Sequence, residues 1–444
     1  MKKFGLIIIL TLMVNYIFAD VLTLESARKL ALKNNPDLLA QEEDTKASNN
    51  SLMKSYLSLI PSANFSAGYN LKDDPITIIT PVDTLSYDSS TNYGFSITQP
   101  IFNGGKYWLG SRIANDSYKI SKQTLSATTL STIADVESKY FTVLENRALL
   151  EIAEKDLEAS NTNVETAKIR YETGSLSKAE YLQVQSENAS KDVLLIQREN
   201  MYRTSLLDLA NFLQIDEVTN LEDIAMENYN TSLEILKQSD LTKASEITEK
   251  FMIEGKDNNP TIKIYDLSVA TSEKSRLMAG GNFLPSVNLS YSKNWSKDDY
   301  EDDYTEGNGT LGLSLSMPIF PIADNGFELA KANHNLKKAK YNNESAKDGI
   351  ELSIKSSVLN LISAAKTVKS AELAKEFSSE TYEQMQERFK NGLITANDLL
   401  SAEVTFTSAQ NQYATSFYDY LRAKSTLMQL IGTGDDSLFS SLIK

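Results

Sequence analysis

The sequence predicts a mainly α-helical protein with a small membrane β part, built from two copies of one helix-strand-strand-helix-helix unit. Three observations predict it. Proline-centred landmarks recur at fixed shifts along the chain. Each copy carries two segments in which apolar and polar residues alternate with period two, and each carries a very long proline-free stretch with apolar residues every three and four positions.

The repeat has a register. Gln99-Pro100-Ile101-Phe102 matches Met317-Pro318-Ile319-Phe320 at a shift of 218 (317 minus 99), and the run from Arg170 to Leu176 matches Arg388 to Ile394 at the same shift (388 minus 170). Upstream, Asn35-Pro36 pairs with Asn259-Pro260 and Leu59-Ile60-Pro61-Ser62 with Phe283-Leu284-Pro285-Ser286, both at 224 (259 minus 35, 283 minus 59). The difference of six falls between the two proline landmarks, which places it in a loop tip where added length costs least. The expected organisation is a signal peptide over 1–19, a first repeat over 20–215, an inter-repeat segment over 216–258, a second repeat over 259–431 and a tail over 432–444.

The segments around the tips read as strands. Ala63, Phe65, Ala67, Tyr69 and Leu71 alternate with small polar residues, as do Tyr93, Phe95 and Ile97. In the second copy Val287, Leu289 and Tyr291 alternate, then Leu311, Leu313, Leu315 and Met317. The polar face is rich in hydroxyls and amides, as a wet lumen would be, and Tyr69, Tyr93, Tyr291 and Trp295 fall where an aromatic girdle sits. Lys293 shares the apolar face and is expected to snorkel to the interface.

Long helices follow each hairpin. From Lys106 to Thr173 there is no proline, and Ile133, Val136, Tyr140 and Val143, then Ala153, Leu157, Val164, Ala167 and Tyr171, recur at helical spacing; Ile354, Val358, Leu361, Ala365 and Val368 repeat the pattern. Roughly 65 residues at a rise of ~1.5 Å make a helix near 100 Å, which needs neighbours along its length. Gly174 and Gly392 close these helices, and Ser177 with Glu180, or Thr395 with Asp398, forms the capping box of the next, over about Lys178 to Leu213 and Ala396 to Leu430. The stretches 216–258 and 432–444 break the repeat and are expected to form a belt of short elements.

Composition narrows the class. Lys2 and Lys3 followed by the apolar run Phe4 to Phe18 read as an export signal cut after Ala19. The chain has no cysteine, which excludes disulfides, thiolate metal sites and a lipid carried on an N-terminal cysteine. Beyond the signal no run of 18 apolar residues exists, so membrane contact must come through a barrel or surface binding. A net charge of -15 argues against nucleic acid as partner. Four strands cannot close a barrel within one chain; two chains would give a barrel of eight filled by side chains, and three a barrel of twelve with room for a passage.

The run Gln99 to Gly105 (QPIFNGG), the turn from Arg170 to Gln185 (RYETGSLSKAEYLQVQ), the opening Leu22 to Asn35 with its LTLxxAxxxALxNN pattern, and the duplication together resemble the TolC family of outer-membrane efflux proteins. The resemblance covers nearly all of the chain past the signal and rests on the order of these motifs. It implies a homotrimer in which four strands per chain form a shared 12-stranded β-barrel continuing into a long α-helical barrel. It also implies an equatorial belt, contact with outer-membrane lipid, and docking to a periplasmic adaptor and an inner-membrane transporter. Met317 in place of the family's glutamine, and Pro321 to Asn325 where the first copy has Asn103-Gly104, put the second strand-to-helix junction in question.

From that resemblance the helix turns are the adaptor contact, with Arg170, Tyr171, Gly174, Leu176, Phe389, Gly392 and Leu393 named and the five side chains other than glycine expected to be exposed. The bland alternative is that the turns are only helix caps. Glu380, Glu383 and Glu387, three and four apart, share a helix face and are the candidate periplasmic constriction, rings of like charge in a trimer; a solvated outer face is the alternative. By the resemblance, Glu383 matches the position where the family can carry a gating acidic residue, and Gln386 sits where a second is expected. The acidic run Asp298 to Glu306 lacks the glycine and spacing of a calcium loop and reads as solvated; Asn103 to Lys106 lacks P-loop spacing and reads as a bend; His334 has no ligand or nucleophile cluster beside it. No cofactor, metal or catalytic residue is expected. The reading is a passive channel-tunnel carrying small molecules or secreted polypeptide from an adaptor and transporter assembly to the exterior. A pore-less periplasmic adaptor or scaffold leaves the hairpins unused, and an envelope enzyme would need a carboxylate pair that the sequence does not offer.

Overall fold

The computed structural model describes residues 21–79, 84–298 and 303–444. The expected signal peptide and residues 299–302 of the acidic run lie outside them. Two compact units organise the described chain, one formed by residues up to 36, 129–255 and 353–444, the other by 37–128 and 256–352.

In chain order the elements are α1 (Leu24–Asn34), α2 (Pro36–Leu57), β1 (Ser62–Ile79), β2 (Thr84–Asn103), α3 (Lys106–Glu172), α4 (Lys178–Leu213), α5 (Asn230–Lys237), α6 (Leu241–Asn258) and α7 (Pro260–Gly280). There follow β3 (Ser286–Asp298), β4 (Thr305–Glu306), β5 (Thr310–Ser316), α8 (Ile322–Lys390), α9 (Ala396–Ile431) and α10 (Asp436–Leu442). α3 and α8 contribute residues to both units. Among the described residues no helix is long and apolar enough to cross a membrane.

The second unit holds one antiparallel sheet. β1 pairs β2 from Ser62↔Thr98 to Ile79↔Thr84, and β2 pairs β3 from Ser90↔Asp298 to Asn103↔Ser286. β4 and β5 both pair β3, at Trp295 and Ser296 and then from Ser292 to Ser286, so they occupy one strand position interrupted at 307–309, where the Gly307 N–H donates to Asn294 O at 3.0 Å. Each chain thus offers four strand positions. β1 and β2 run well past the alternating segments: pairing resumes at Ile76↔Tyr87 after a register shift that skips the polar Lys72-Asp73-Asp74-Pro75. That polar run breaks the alternation and the register together, and for that reason period two under-reports these strands. Pro100, which cannot donate to a ladder, lies at the other register shift, beside Phe102.

One face of this sheet is apolar and uncovered. Phe65, Tyr69, Leu71, Leu311, Leu313 and Leu315 are each about two-thirds exposed or more, Leu311 for example at 71%. Tyr93 stacks on Trp295 at 5.2 Å and Phe95 meets Tyr291 at 5.8 Å, while Tyr69 is largely exposed. Lys293 does not simply snorkel: Glu306 pairs its ammonium and Trp295 lies under it at 5.1 Å, so the charge is balanced within the hairpin. Among the described residues β1 pairs only with β2, and β5 only with β3, leaving both sheet edges open.

The two strand-to-helix junctions are built differently. At the first, Gly104 and Gly105 take φ of 69° and 77° before α3. Gly104 also backs onto Gly281, whose carbonyl oxygen would lie 2.2 Å from a Cβ at 104. At the second, β5 ends at Ser316, the Phe320-Pro321 bond is cis, and α8 starts at Ile322, with Asn325 Nδ2 donating to Asn282 O at 3.2 Å. Met317 lies just past the strand it was expected to close.

In the first unit the core runs along the long helices. Val136, Tyr140, Val143 and Leu144 on α3, Ile354, Val358, Leu361 and Ala365 on α8, and Phe417, Tyr420, Leu421 and Met428 on α9 are buried. The segment before α1 adds a short parallel bridge, Leu22↔Leu221, and the Tyr140 hydroxyl lies 2.8 Å from both the Leu22 and Glu222 carbonyls. Within 216–258 the elements are short as far as α5, but α6 runs 18 residues and buries Ala244, Ile247, Phe251 and Gly255 along one face. It ends at Asn258, and Asn259 caps α7 by accepting from Thr261 N at 2.8 Å. α1 likewise ends just before Asn35-Pro36, so α6 holds in the second copy the place of α1 in the first.

Candidate functional site: the paired helix turns

Both helix reversals are the same device. After α3, the N–H groups of Ser175 and Gly174 donate to Arg170 O and Tyr171 O at 2.8 and 3.0 Å; after α8, those of Leu393 and Gly392 donate to Arg388 O and Phe389 O at 2.9 and 3.0 Å. Gly174 and Gly392 each take φ of 74°, the left-handed conformation that this closure needs and that a Cβ resists. The next helix is then nucleated by reciprocal caps. Ser177 Oγ accepts from Glu180 N at 3.2 Å while Glu180 accepts from Ser177 N at 3.1 Å, and Thr395 with Asp398 repeats this at 3.2 and 3.1 Å. Hydrogen bonds from the Ser177 and Thr395 side chains hold the Glu180 and Asp398 carboxyls below their ordinary values.

Arg170 ties one turn to the other. Its Nη1 donates to Phe389 O at 2.9 Å, its Nη2 to Ser175 O at 3.2 Å, and its guanidinium lies 4.5 Å from the centre of the Phe389 ring. A small core forms beneath, with Ala167, Leu176, Val184, Tyr382, Phe389, Ala396, Leu399 and Leu400 buried together. Leu176 and Phe389 were expected at the surface but are 7% and 1% exposed, because the turns pack their apolar residues against each other before anything else can meet them. Arg170 is half-buried for the same reason. Tyr171, Gly174, Gly392 and Leu393 remain on the surface, Leu393 at 72%, and Tyr171 stacks on Tyr181 at 5.4 Å.

Glu380, Glu383 and Glu387 are exposed on α8, with the Ser379 hydroxyl donating to Glu383 at 3.4 Å. Gln386 is turned inward, donating to the Tyr382 hydroxyl at 2.9 Å, which takes it off the surface expected of a gating group. His334 is exposed on α8. Among the described residues no group of acidic, histidine or cysteine side chains is placed to hold a metal ion.

A buried polar layer lies one to two turns deeper, hidden from helical periodicity. Lys191 on α4, Asp156 and Asn163 on α3, and Glu403 on α9 are buried and bonded to each other. The signal was present: Val184 and Lys191 are seven apart, as are Ala396 and Glu403, so charged residues occupy seam positions that a coiled coil keeps apolar.

An uncovered apolar sheet face with open edges, in one chain with capped helical hairpins, defines an outer-membrane channel-tunnel class rather than a soluble scaffold. The chain belongs to the outer membrane efflux protein family, which matches residues 27–213 and 254–433. It is 22% identical over 411 residues to the outer membrane protein TolC of Salmonella enteritidis, covering 90% of this chain and 80% of that protein. Its fold matches the CmeC outer membrane channel of Campylobacter jejuni at a TM-score of 0.75 and 17% identity, over 95% of this chain and 89% of that one. The outer membrane protein VceC of Vibrio cholerae matches at 0.75 and 14%, over 93% and 96%. This is a TolC-type efflux channel of the outer membrane, extending into the periplasm, with a helical barrel joined to a β domain.

Proposed function

We propose that three protomers close their four strand positions each into a twelve-stranded barrel and conduct small molecules or secreted polypeptide passively. A periplasmic adaptor and an inner-membrane transporter supply the cargo and the energy. The observation that carries this reading is the sheet: an apolar face with no cover and two unpaired edges is stable in lipid only if further strands complete it. A passive duct needs pore width and charge but no reacting groups.

The adaptor contact falls to the surface that the turns leave free, Tyr171, Gly174, Gly392 and Leu393, with Arg170, Leu176 and Phe389 holding its shape from below. The exposed carboxylates Glu380, Glu383 and Glu387 line the periplasmic constriction, where three copies make rings of negative charge that favour cations. Reconstitution in a planar bilayer tests the whole reading. Conductance steps, a protomer count of three and a reversal potential on the cation side in a salt gradient are expected. Absence of steps, or a monomer, overturns the channel, and an anion-side potential overturns the carboxylate constriction alone.

A further inference from the structure

Beyond the strand-to-helix junction, α2, α3 and α7 enclose a cavity of about 560 Å³ lined by Tyr56, Trp108, Arg112, Asp116, Lys119 and Lys274. That volume is within the range of small-ligand sites, roughly 300–1,000 Å³. Its charges are unequal. Lys274 is already engaged, 2.5 Å from the buried Asp116. Arg112 and Lys119 are exposed and have no carboxylate partner among the described residues, and Arg112 lies 4.0 Å over the Trp108 ring. Trp108, Arg112, Asn115 and Lys119 follow one another at steps of four, three and four on α3, so they share one face over roughly 17 Å of helix.

Position gives this group its meaning. α3 starts three residues after β2 ends, so Trp108 and Arg112 stand within about two helical turns of the strand whose apolar face is uncovered. Tyr56 and Trp108 are half-exposed, as are Leu57, Ile60 and Ile101 near them in sequence. Amphipathic aromatic rings followed by unpaired cations are the sequence of side chains met on leaving hydrocarbon for an anionic headgroup layer. We propose that this cavity binds the phosphate of an anionic phospholipid headgroup in the periplasm-facing leaflet. Arg112 and Lys119 contact the phosphate, Trp108 and Tyr56 lie against the glycerol and upper acyl chain, and the Asp116 to Lys274 pair fixes the floor.

The proposal rests on the sheet being lipid-facing, and the two tryptophans separate the two claims. Trp108 and Trp295 are the only tryptophans in the chain. In vesicles carrying acyl-brominated phosphatidylglycerol or phosphatidylcholine, full-length Trp295→Phe reports on Trp108 and full-length Trp108→Phe reports on Trp295. Trp108 is expected to be quenched at a lower mole fraction of phosphatidylglycerol than of phosphatidylcholine. In the Arg112→Ala/Lys119→Ala form that preference is expected to fall about five-fold per cation removed. Quenching of Trp295 with none of Trp108 overturns the site and leaves the channel standing. No quenching of either overturns both. Equal quenching by the two lipids, unchanged by the double substitution, shows a greasy rim without a headgroup site. Trp108 unquenched by either lipid, with its emission shifted by millimolar inorganic phosphate alone, assigns the cavity to free phosphate and overturns the lipid.

Discussion

The ammonium of Lys191 on α4 lies 2.8 Å from Asp156 Oδ1 on α3, and on its other side it contacts Glu403 on α9. All three side chains are more than nine-tenths buried. Thr407 donates to the same Asp156 oxygen at 2.9 Å, and Asn163 Nδ2 lies 3.1 Å from Glu403 Oε2 and 3.0 Å from the Tyr382 hydroxyl. One layer of polar contacts therefore joins α3, α4, α8 and α9 with two carboxylates for one lysine. Burial pushes the Glu403 carboxyl up, although the hydrogen bond from Lys191 works against it, and burial likewise pushes the Tyr382 phenol up.

Removing the shared cation is expected to be the most damaging single change in this layer. Lys191→Met leaves two buried carboxylates facing each other, and uncompensated buried charge costs about 3–5 kcal/mol. Glu403→Gln keeps the Asp156 partner and the shape, so its loss is expected to be much smaller. Thermal unfolding of the purified protein checks the order, Lys191→Met well below Glu403→Gln. Equal losses would mean that the layer acts through packing rather than charge.

The same carboxyl sets a pH dependence. Because its folded pKa is raised, Glu403 contributes stability that is fully present below the ordinary value of 4.5 and is lost as pH rises through the folded value. The native chain should therefore gain stability relative to Glu403→Gln as pH falls from neutral to the ordinary value of 4.5. A constant difference in melting temperature between the two proteins over that interval would contradict the assignment.

At the turns the sign is opposite. Glu180 and Asp398 are held below 4.5 and 3.8 by their caps, so the capping stabilisation is present above those values and is lost as pH falls through the lower folded ones. Amide protection factors over 174–180 and 392–398 should drop in acid before those of the α3 core. Ser177→Ala and Thr395→Ala should each cost about 1 kcal/mol at neutral pH and remove the acid-sensitive step at their own turn only.

The turns also illustrate how far the sequence could be read. Glycine, hydroxyl and carboxylate at fixed offsets are local chemistry, so the reversals and the starts of α4 and α9 were legible to the residue. Exposure was not, because Leu176 and Phe389 owe their burial to each other across a gap of more than 200 positions. Period two found β1 and β2 as far as the polar Lys72 to Pro75 run and missed Ile76 to Ile79 beyond it, which pair again only across a register shift. Charged residues on seam positions were visible as irregularities, but the partners of each lie on two other helices, and only the fold brings Asp156, Lys191 and Glu403 together.

Gly174→Ala and Gly392→Ala separate turn geometry from turn contact. Neither position would bring a Cβ nearer than 3.8 Å to another group, so the cost is that of the left-handed backbone, about 1–2 kcal/mol each. Leu393→Asp, on an exposed side chain, should leave stability unchanged within about 0.5 kcal/mol. Export assays on protein at native abundance should then show the larger loss for Leu393→Asp, since the proposed adaptor surface is altered without moving the turn. Full export by Leu393→Asp would remove that residue from the contact.

Gly105 in the first strand-to-helix junction and Gly281, which packs against it, should differ sharply. A Cβ on Gly105 meets nothing within 4 Å, so Gly105→Ala carries only the backbone strain of a φ of 77°, about 1–2 kcal/mol. A Cβ on Gly281 would fall 2.4 Å from Gly104 O, a backbone atom that cannot swing aside, even though the φ of Gly281 is ordinary for any residue. Gly281→Ala must therefore push the Gly281 to Phe283 turn away from the point where β2 becomes α3. The expected outcome is folded helices with a disrupted sheet: helical circular dichroism near normal for both variants, but heat-resistant oligomer in detergent retained by Gly105→Ala and lost by Gly281→Ala. Equal oligomer yields would show that the close approach of these two backbones is not needed to set the strands for closure.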